Sequence, residues 1–281
     1  PDENWNKAIA NTAFRQCFYK GLDLTNFYAR YNKINPLKCE NDFFTMKGLA
    51  YTPDGTDYTT LVARELGLDG EAYDGKTMIR LRSGSGIADL KKQAMEELSA
   101  IGVTFPVHCH YHIVAGSTSA LDSATVLKQC FADSFGDDFI VLDIDTYVSS
   151  VMKEIVAPQQ QCFIHMGWGA DFGDPVNFLT QEVLHDDNAY YSCNLTNIAS
   201  VAENPADYQA DLVSAFETFT DMVNEAKAIV DDTAARYAAF AKAEAFFLEN
   251  NLTCPTVYDV TWCLTHANEY SKINAMYGPC N

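Results

Sequence analysis

Basic residues are scarce in this sequence: 19 lysines and arginines stand against 38 acidic residues, a formal charge of -19 over 281 residues. A field of that sign repels a phosphate backbone at long range and argues against nucleic acid as a partner. It suits cationic or zwitterionic ligands, although its simplest role is to keep the protein soluble. The chain also lacks any run near the roughly 18 uninterrupted apolar residues of a membrane helix. Even the apolar stretch from Tyr237 to Leu248 carries Lys242 and Glu244. Pro1 to Asn6 lack the basic-then-apolar order of a signal peptide, so any export signal is expected to have been removed or to lie outside these residues. Nine cysteines are present without a Cys-x-x-Cys pair, which implies neither a zinc ribbon nor a regular disulfide framework. Most of them are expected as small buried hydrophobes, as in a protein from a reducing or oxygen-poor setting. Gly-x-Ser-x-Gly, His-Glu-x-x-His and papain-like cysteine signatures are absent, which leaves no positive case for an enzyme and no cofactor to expect.

What is present suffices for one large core or two smaller ones, with 48% hydrophobic and 20% charged residues. Trp5, Ile9, Ala13, Phe14, Cys17 and Phe18 recur at helical spacing ahead of Gly21 and predict a first helix. A short helix over Leu24 to Tyr31 follows, and then a long polar loop from Pro36 to Asp57. Thr59 to Leu66 is helix-like, Met78 to Arg82 strand-like, and Leu90, Ala94, Met95, Leu98 and Ile101 share one helical face. Next come a strand from Phe105 to Val114, a helix over Leu121 to Phe135 and a strand from Phe139 to Ile144. A helix from about Tyr147 and a strand from Cys162 to Trp168 continue the alternation. Two long helices close the pattern, one marked by Leu212 to Val230 and one by Tyr237 to Leu248. Strands alternating with helices, without an internal repeat or low-complexity linker, predict a single α/β unit over residues 1–281 with an open mixed sheet flanked by helices.

Several motifs compete for the chemistry. Gly70-Glu-Ala-Tyr-Asp-Gly75-Lys76-Thr77 satisfies the P-loop pattern, and Phe139 to Asp143 resembles a strand ending in a magnesium-holding aspartate, so a P-loop ATPase is the alternative from another class. The order is wrong for that chemistry. A phosphate cradle needs a strand before the loop and a helix after it, and Glu71 and Asp74 would set two carboxylates inside it. His108, His110 and His112 lie on one face of a strand, but same-face residues are about 6.5–7 Å apart, too far for all three to share one ion at about 2 Å. The alternation explains itself as a polar stripe with Val107, Cys109, Tyr111 and Ile113 in the core, and no structural metal is expected. Arg82-Ser83-Gly84-Ser85-Gly86 reads as a strand-to-helix turn, and Asp143 and Asp145 as solvated carboxylates of one strand face.

The run Gly167-Trp168-Gly169-Ala170-Asp171-Phe172-Gly173-Asp174-Pro175-Val176-Asn177-Phe178-Leu179 resembles the Gly-Trp-x-Ala-Asp-Tyr-x-Asp-Pro-x-x-Phe signature of the family 5 solute-binding proteins, the large oligopeptide-binding proteins of ABC transporters. Tyr19-Lys-Gly-Leu-Asp23 and Asn268 to Gly278 are similar to that family's first turn and closing crossover, so the resemblance spans essentially the whole chain. It implies a type II periplasmic-binding-protein-like lobe, the second of two lobes that close on a ligand by a hinge, the first lying outside this chain. It further implies an extracellular peptide ligand, ABC permease subunits as partners, a monomer, and a place at the outer face of the membrane as a lipoprotein, or in the periplasm. The membrane is reached only through a lipid anchor or the permease. Gly167 and Gly169 are expected to let a peptide backbone approach, Trp168 to pack beside it, and Asp171 to receive its N-terminal ammonium. Tyr147 and His165 match pocket-lining positions. Gly169 stands where some members carry a bulkier residue, and nickel, haem and sugar binders belong to the same family. Fold maintenance is the alternative role for Trp168 and for Asp174-Pro175.

Overall fold

The computed structural model describes residues 1–68 and 84–257. Helices α1 (Glu3–Ala10), α2 (Thr12–Gly21), α3 (Thr25–Tyr28), α4 (Tyr58–Glu65) and α5 (Ala88–Ala100) precede strand β1 (Val107–Val114). Helix α6 (Thr118–Phe135) crosses to β2 (Ile140–Tyr147), and α7 (Val176–Leu179), α8 (Ile198–Glu203), α9 (Ala210–Ala228) and α10 (Thr233–Glu249) follow. The fold is α/β and mostly helical. Among the described residues the sheet is the parallel pair β1 and β2, in register from Val107 opposite Ile140 to Val114 opposite Tyr147.

Two buried clusters divide the molecule. In the sheet half, Trp5, Phe14, Cys17, Leu98, Val107, Cys109, Phe131, Phe139 and Leu142 pack together, because α1 and α6 turn their apolar stripes onto the strands while α2 packs against α1, α5 and α6. In the helical half, Tyr58, Val62, Phe178, Leu179, Phe219, Phe240, Phe247 and Leu248 join α4, α7, α9 and α10. Helix α10 lies against both α4 and α9, which is why it is apolar nearly all round. Its one buried acid, Glu244, is answered by Thr45 N (2.9 Å), Thr45 Oγ1 (2.5 Å) and the Tyr58 hydroxyl (3.0 Å), which pins the polar loop onto the core. Burial still raises its carboxyl, and those donors oppose the shift.

Three expected elements differ. The first helix is two, because Asn11 leaves the helical conformation (ψ 128°) and caps α2 by accepting from Phe14 N at 2.8 Å. Buried Arg15 makes the break stable, its guanidinium donating to Ile9 O (2.8 Å) and Ala10 O (2.7 Å) at the end of α1. The strand expected over Cys162 to Trp168 does not form. Cys162 N donates to His110 O at 3.4 Å, but beyond it side chains take over: Phe163 stacks on Tyr111 and Phe131 with centroids 5.1 and 5.9 Å apart. In place of a helix from Tyr147, Val148 N, Ser149 N and Ser150 N donate to the Glu154 carboxylate, holding that acid down at about 2, and only a wide turn over Met152–Val156 is helical. The strand expected over Met78 to Arg82 and the Gly70 to Thr77 run lie outside the described residues.

Candidate functional site

The run that begins at Gly167 enters α7 through a turn with two anchors. At the turn itself, Asp174 Oδ1 accepts from Val176 N (2.9 Å), and its carboxylate takes Arg236 Nε (3.0 Å) and Nη2 (3.3 Å) side by side. Arg236, near the start of α10, also donates through Nη1 to Ala226 O, Lys227 O and Ile229 O, where the carbonyls of α9 run out of helical partners. One guanidinium thus ties the turn to both long helices, and its face rests 4.8 Å from the Phe240 ring centroid. The second anchor is Asn177, buried at 7% exposure, whose Oδ1 accepts from Trp168 Nε1 (2.9 Å) and from Asp171 N (3.2 Å).

These anchors leave the first half of the run displayed. Gly167, Gly169 and Asp171 are exposed, and Trp168 is half-buried with its ring edge-on to Tyr191 at 6.1 Å. Among the described residues, a Cβ built on Gly167 or Gly169 would meet no atom within 4 Å. Neither glycine is required by packing against those residues or by a left-handed backbone. The Asp171 carboxylate forms no ion pair among the described residues, although its own backbone N–H is fixed by Asn177. Four of the expected site residues, Gly167, Trp168, Gly169 and Asp171, thus share one stretch, three of them exposed and Trp168 turned partly inward. His165 stands apart from it, with Nε2 3.3 Å from Thr256 Oγ1, on a cavity of about 620 Å³ between the two clusters. Tyr147 ends β2, its carbonyl accepting from Ala115 N at 2.8 Å, and no hydrogen bond joins it to the run.

The histidine stripe and the two strand aspartates, read separately in the sequence, meet across the strands. His108 Nδ1 lies 2.6 Å from Asp143 Oδ2, and His110 Nδ1 lies 2.6 Å from Asp145 Oδ2. Asp143 is thereby engaged by a histidine, and no group of three metal-ligating side chains converges among the described residues. Gly84–Ile87 forms a tight turn into α5, and the strand expected before it lies outside the described residues. Of the six described cysteines that are free, Cys17, Cys109 and Cys130 are buried and Cys162, Cys193 and Cys254 partly so.

Asn177 and Arg236 carry the site's geometry, and sequence reasoning missed both. Asn177 lies inside the signature but at a position the pattern leaves open, and Arg236 is distant in sequence with no local mark. A third omission is Glu182, fully buried beyond α7 with Oε2 unpartnered among the described residues. Burial alone pushes its carboxyl up to about 8. It also contributes, after burial itself, to lifting the phenol of Tyr191, Trp168's neighbour, to about 12.

No family model matches the chain. The oligopeptide-binding protein AliB of Streptococcus pneumoniae is 24% identical over 266 residues, covering 89% of this chain and 39% of AliB. Among solved structures, the substrate-binding domain of an oligopeptide ABC transporter from Bacillus anthracis str. Ames superposes with a TM-score of 0.58 at 15% identity, over 87% of this chain and 39% of that one. A peptide-binding protein of a peptide ABC transporter gives a TM-score of 0.59 at 13% identity, over 89% of this chain and 90% of that one. The chain thus spans 39% of the length of AliB, and it is homologous to the oligopeptide-binding proteins and has the fold of their lobes. These homologues are solute-binding proteins rather than enzymes.

Proposed function

We propose that this homologue of the oligopeptide-binding proteins is one lobe of a two-lobe substrate-binding component of an ABC transporter, holding an extracellular peptide against Gly167 to Asp171. The observation that carries the reading is the split burial of the signature. Asn177 holds the Trp168 indole and the Asp171 backbone from below, while among the described residues both glycine faces and the Asp171 carboxylate remain open to a partner. An extended peptide lying along Gly167 and Gly169 gains main-chain hydrogen bonds without demanding a sequence. Its free ammonium then reaches Asp171, a charge-assisted hydrogen bond of roughly 1.5–3 kcal/mol. The exposed carboxylate and the acidic balance of the chain favour a ligand with a cationic end.

On this reading a first lobe supplies the other wall of the cleft, Tyr147 and His165 line its margins, and the loaded protein delivers its peptide to permease subunits. It acts as a monomer at the outer face of the membrane or in the periplasm, and meets the bilayer only through a lipid anchor or the permease. No helix among the described residues is long and apolar enough to cross a membrane. The lobe alone offers half the contact, too little to offset the roughly 4 kcal/mol or more lost on association. Calorimetry of the two-lobe protein with unblocked peptides is expected to give micromolar or tighter binding, and the 281-residue chain none that is detectable. Saturable binding of nickel, haem or a sugar in place of every peptide would overturn the ligand class, and micromolar peptide binding by this chain alone would overturn the need for a second lobe.

A further inference from the structure

Cys109 and Cys162 are brought side by side by the edge of the sheet. In a parallel pair, the N–H and C=O of one residue point to the same edge, and alternate residues point to opposite edges. Val107 N donates to Phe139 O (2.9 Å), so the odd-numbered residues of β1 serve β2 and the groups of His108 and His110 face the other edge. Cys162 occupies that edge. Its N–H donates to His110 O at 3.4 Å and its Sγ lies 3.8 Å from His108 O, the two carbonyls that flank Cys109. The two bonds thus set Cys162 against the stretch His108 to His110, with Cys109 between its two partners.

The two thiols differ in environment. Cys109 is fully buried, while Cys162 lines the cavity of about 620 Å³. A hydrogen bond from the Cys109 thiol draws the Cys162 thiol below its usual range, while burial, and then the same contact, drives Cys109 well above it. Buried Cys17, by contrast, is pushed up to about 12 by burial.

We propose that Cys109 and Cys162 form a dithiol site for disulfide exchange, which takes a low-molecular-mass disulfide of the glutathione class through the cavity. Cys162 is the attacking thiol and Cys109 the resolving one. The Cys162 thiolate attacks one sulfur of the reagent, forming a mixed disulfide and expelling one reagent thiolate, which takes up the proton Cys162 lost. Cys109, giving its proton to solvent, then attacks the Cys162 sulfur and expels the second reagent thiolate, which is protonated in turn. Two protein thiols are oxidised to one disulfide, and one reagent disulfide is reduced to two thiols. The bond ties the start of the segment leading to Gly167 onto the free edge of β1.

Mapping the disulfides of the full chain after incubation with oxidised glutathione tests this without any substitution. The expected product is a linked peptide pair containing Cys109 and Cys162, formed before any other of the nine cysteines is modified. In Cys109→Ser, glutathione should remain trapped on Cys162, and in Cys162→Ser, Cys109 should stay free. Cys162 should also alkylate at least about 10-fold faster than Cys130 in the untreated protein, as thiolate fraction and access dictate. A different linked pair, or a Cys162 that stays free while Cys193 or Cys254 reacts, would overturn the proposal.

Discussion

At the far end of the signature run, Asp174 is gripped by Arg236, and Phe178 and Leu179 are buried among α9 and α10. At its near end, Gly167, Gly169 and Asp171 are exposed, and the stretch is held by the Asn177 side-chain carbonyl and by Trp168 and Ala170 packing on the core. A pattern that reads as one motif is thus two devices, an anchor and a display. The anchor's value to the display is pre-organisation. A loop already fixed in its bound shape loses less entropy when a ligand arrives, so affinity follows how firmly the far end is held.

The largest effect should come from breaking the anchor. Arg236→Ala strands the Asp174 carboxylate in a largely buried site and frees three carbonyls, and should cost about 3 kcal/mol of unfolding free energy in urea titration. An equal loss from an exposed-end change such as Gly169→Ala would erase the distinction between the two halves, since a surface substitution there should stay within about 0.5 kcal/mol.

A comparable effect, growing as the pH rises from about 4.5 to about 8, is expected from Glu182. Its carboxyl is raised to about 8 in the folded protein from about 4.5 when unfolded, so between those values the folded state holds a proton that the unfolded state has released. Stability is therefore fully present below about 4.5 and is lost as the pH rises through about 8. Glu182→Gln should remove that slope and leave the variant more stable than the parent at pH 9 by roughly 3 kcal/mol, below the ceiling of about 5 kcal/mol that the full displacement sets at about 1.4 kcal/mol per unit, because the buried amide is itself short of partners. Parallel pH profiles for the two proteins in thermal unfolding would show that the buried acid is solvated after all. Glu244 offers the contrast within the same core, since it is equally buried but has three donors.

How much of this was legible in the sequence follows the same division. Strongly periodic stretches gave their elements directly: α6, α9, α10 and the alternating Val107 to Val114 each bury the face their spacing marks. The signature located the displayed residues, because glycines and a short acid carry a local pattern. What holds them was not legible, since Arg236 acts across 62 residues on Asp174 and Asn177 acts through a side-chain carbonyl that no periodicity records. The break at Asn11 was hidden likewise, since only the fold shows Arg15 supplying the donors that end α1. The strand expected at Cys162 failed for a related reason. Its apolar residues are spent on ring stacking with Tyr111 and Phe131, and apolar content alone does not distinguish that from a ladder.

A smaller effect separates holding from binding. Asn177→Ala removes the acceptor shared by Trp168 and Asp171, and should cost about 1–2 kcal/mol of stability. In the two-lobe protein the same change should weaken peptide binding by more than its modest destabilisation suggests, because the display loses its orientation while its chemistry stays intact. Unchanged affinity in calorimetry would mean that the exposed run orders itself without the anchor.

The smallest effect on stability, and the most direct test of the account, belongs to Asp171→Asn. The carboxylate is exposed and forms no ion pair among the described residues, so the substitution should leave unfolding unchanged. The measurement is calorimetric affinity of the two-lobe protein, parent and Asp171→Asn, for one peptide with a free α-amino group and for the same peptide N-acetylated. Losing a charge-assisted hydrogen bond of roughly 1.5–3 kcal/mol predicts a loss of about one to two orders of magnitude for the free peptide and little change for the acetylated one. If both peptides weaken equally, or neither does, Asp171 is a turn residue and the exposed end of the run is not where the ligand's ammonium is received.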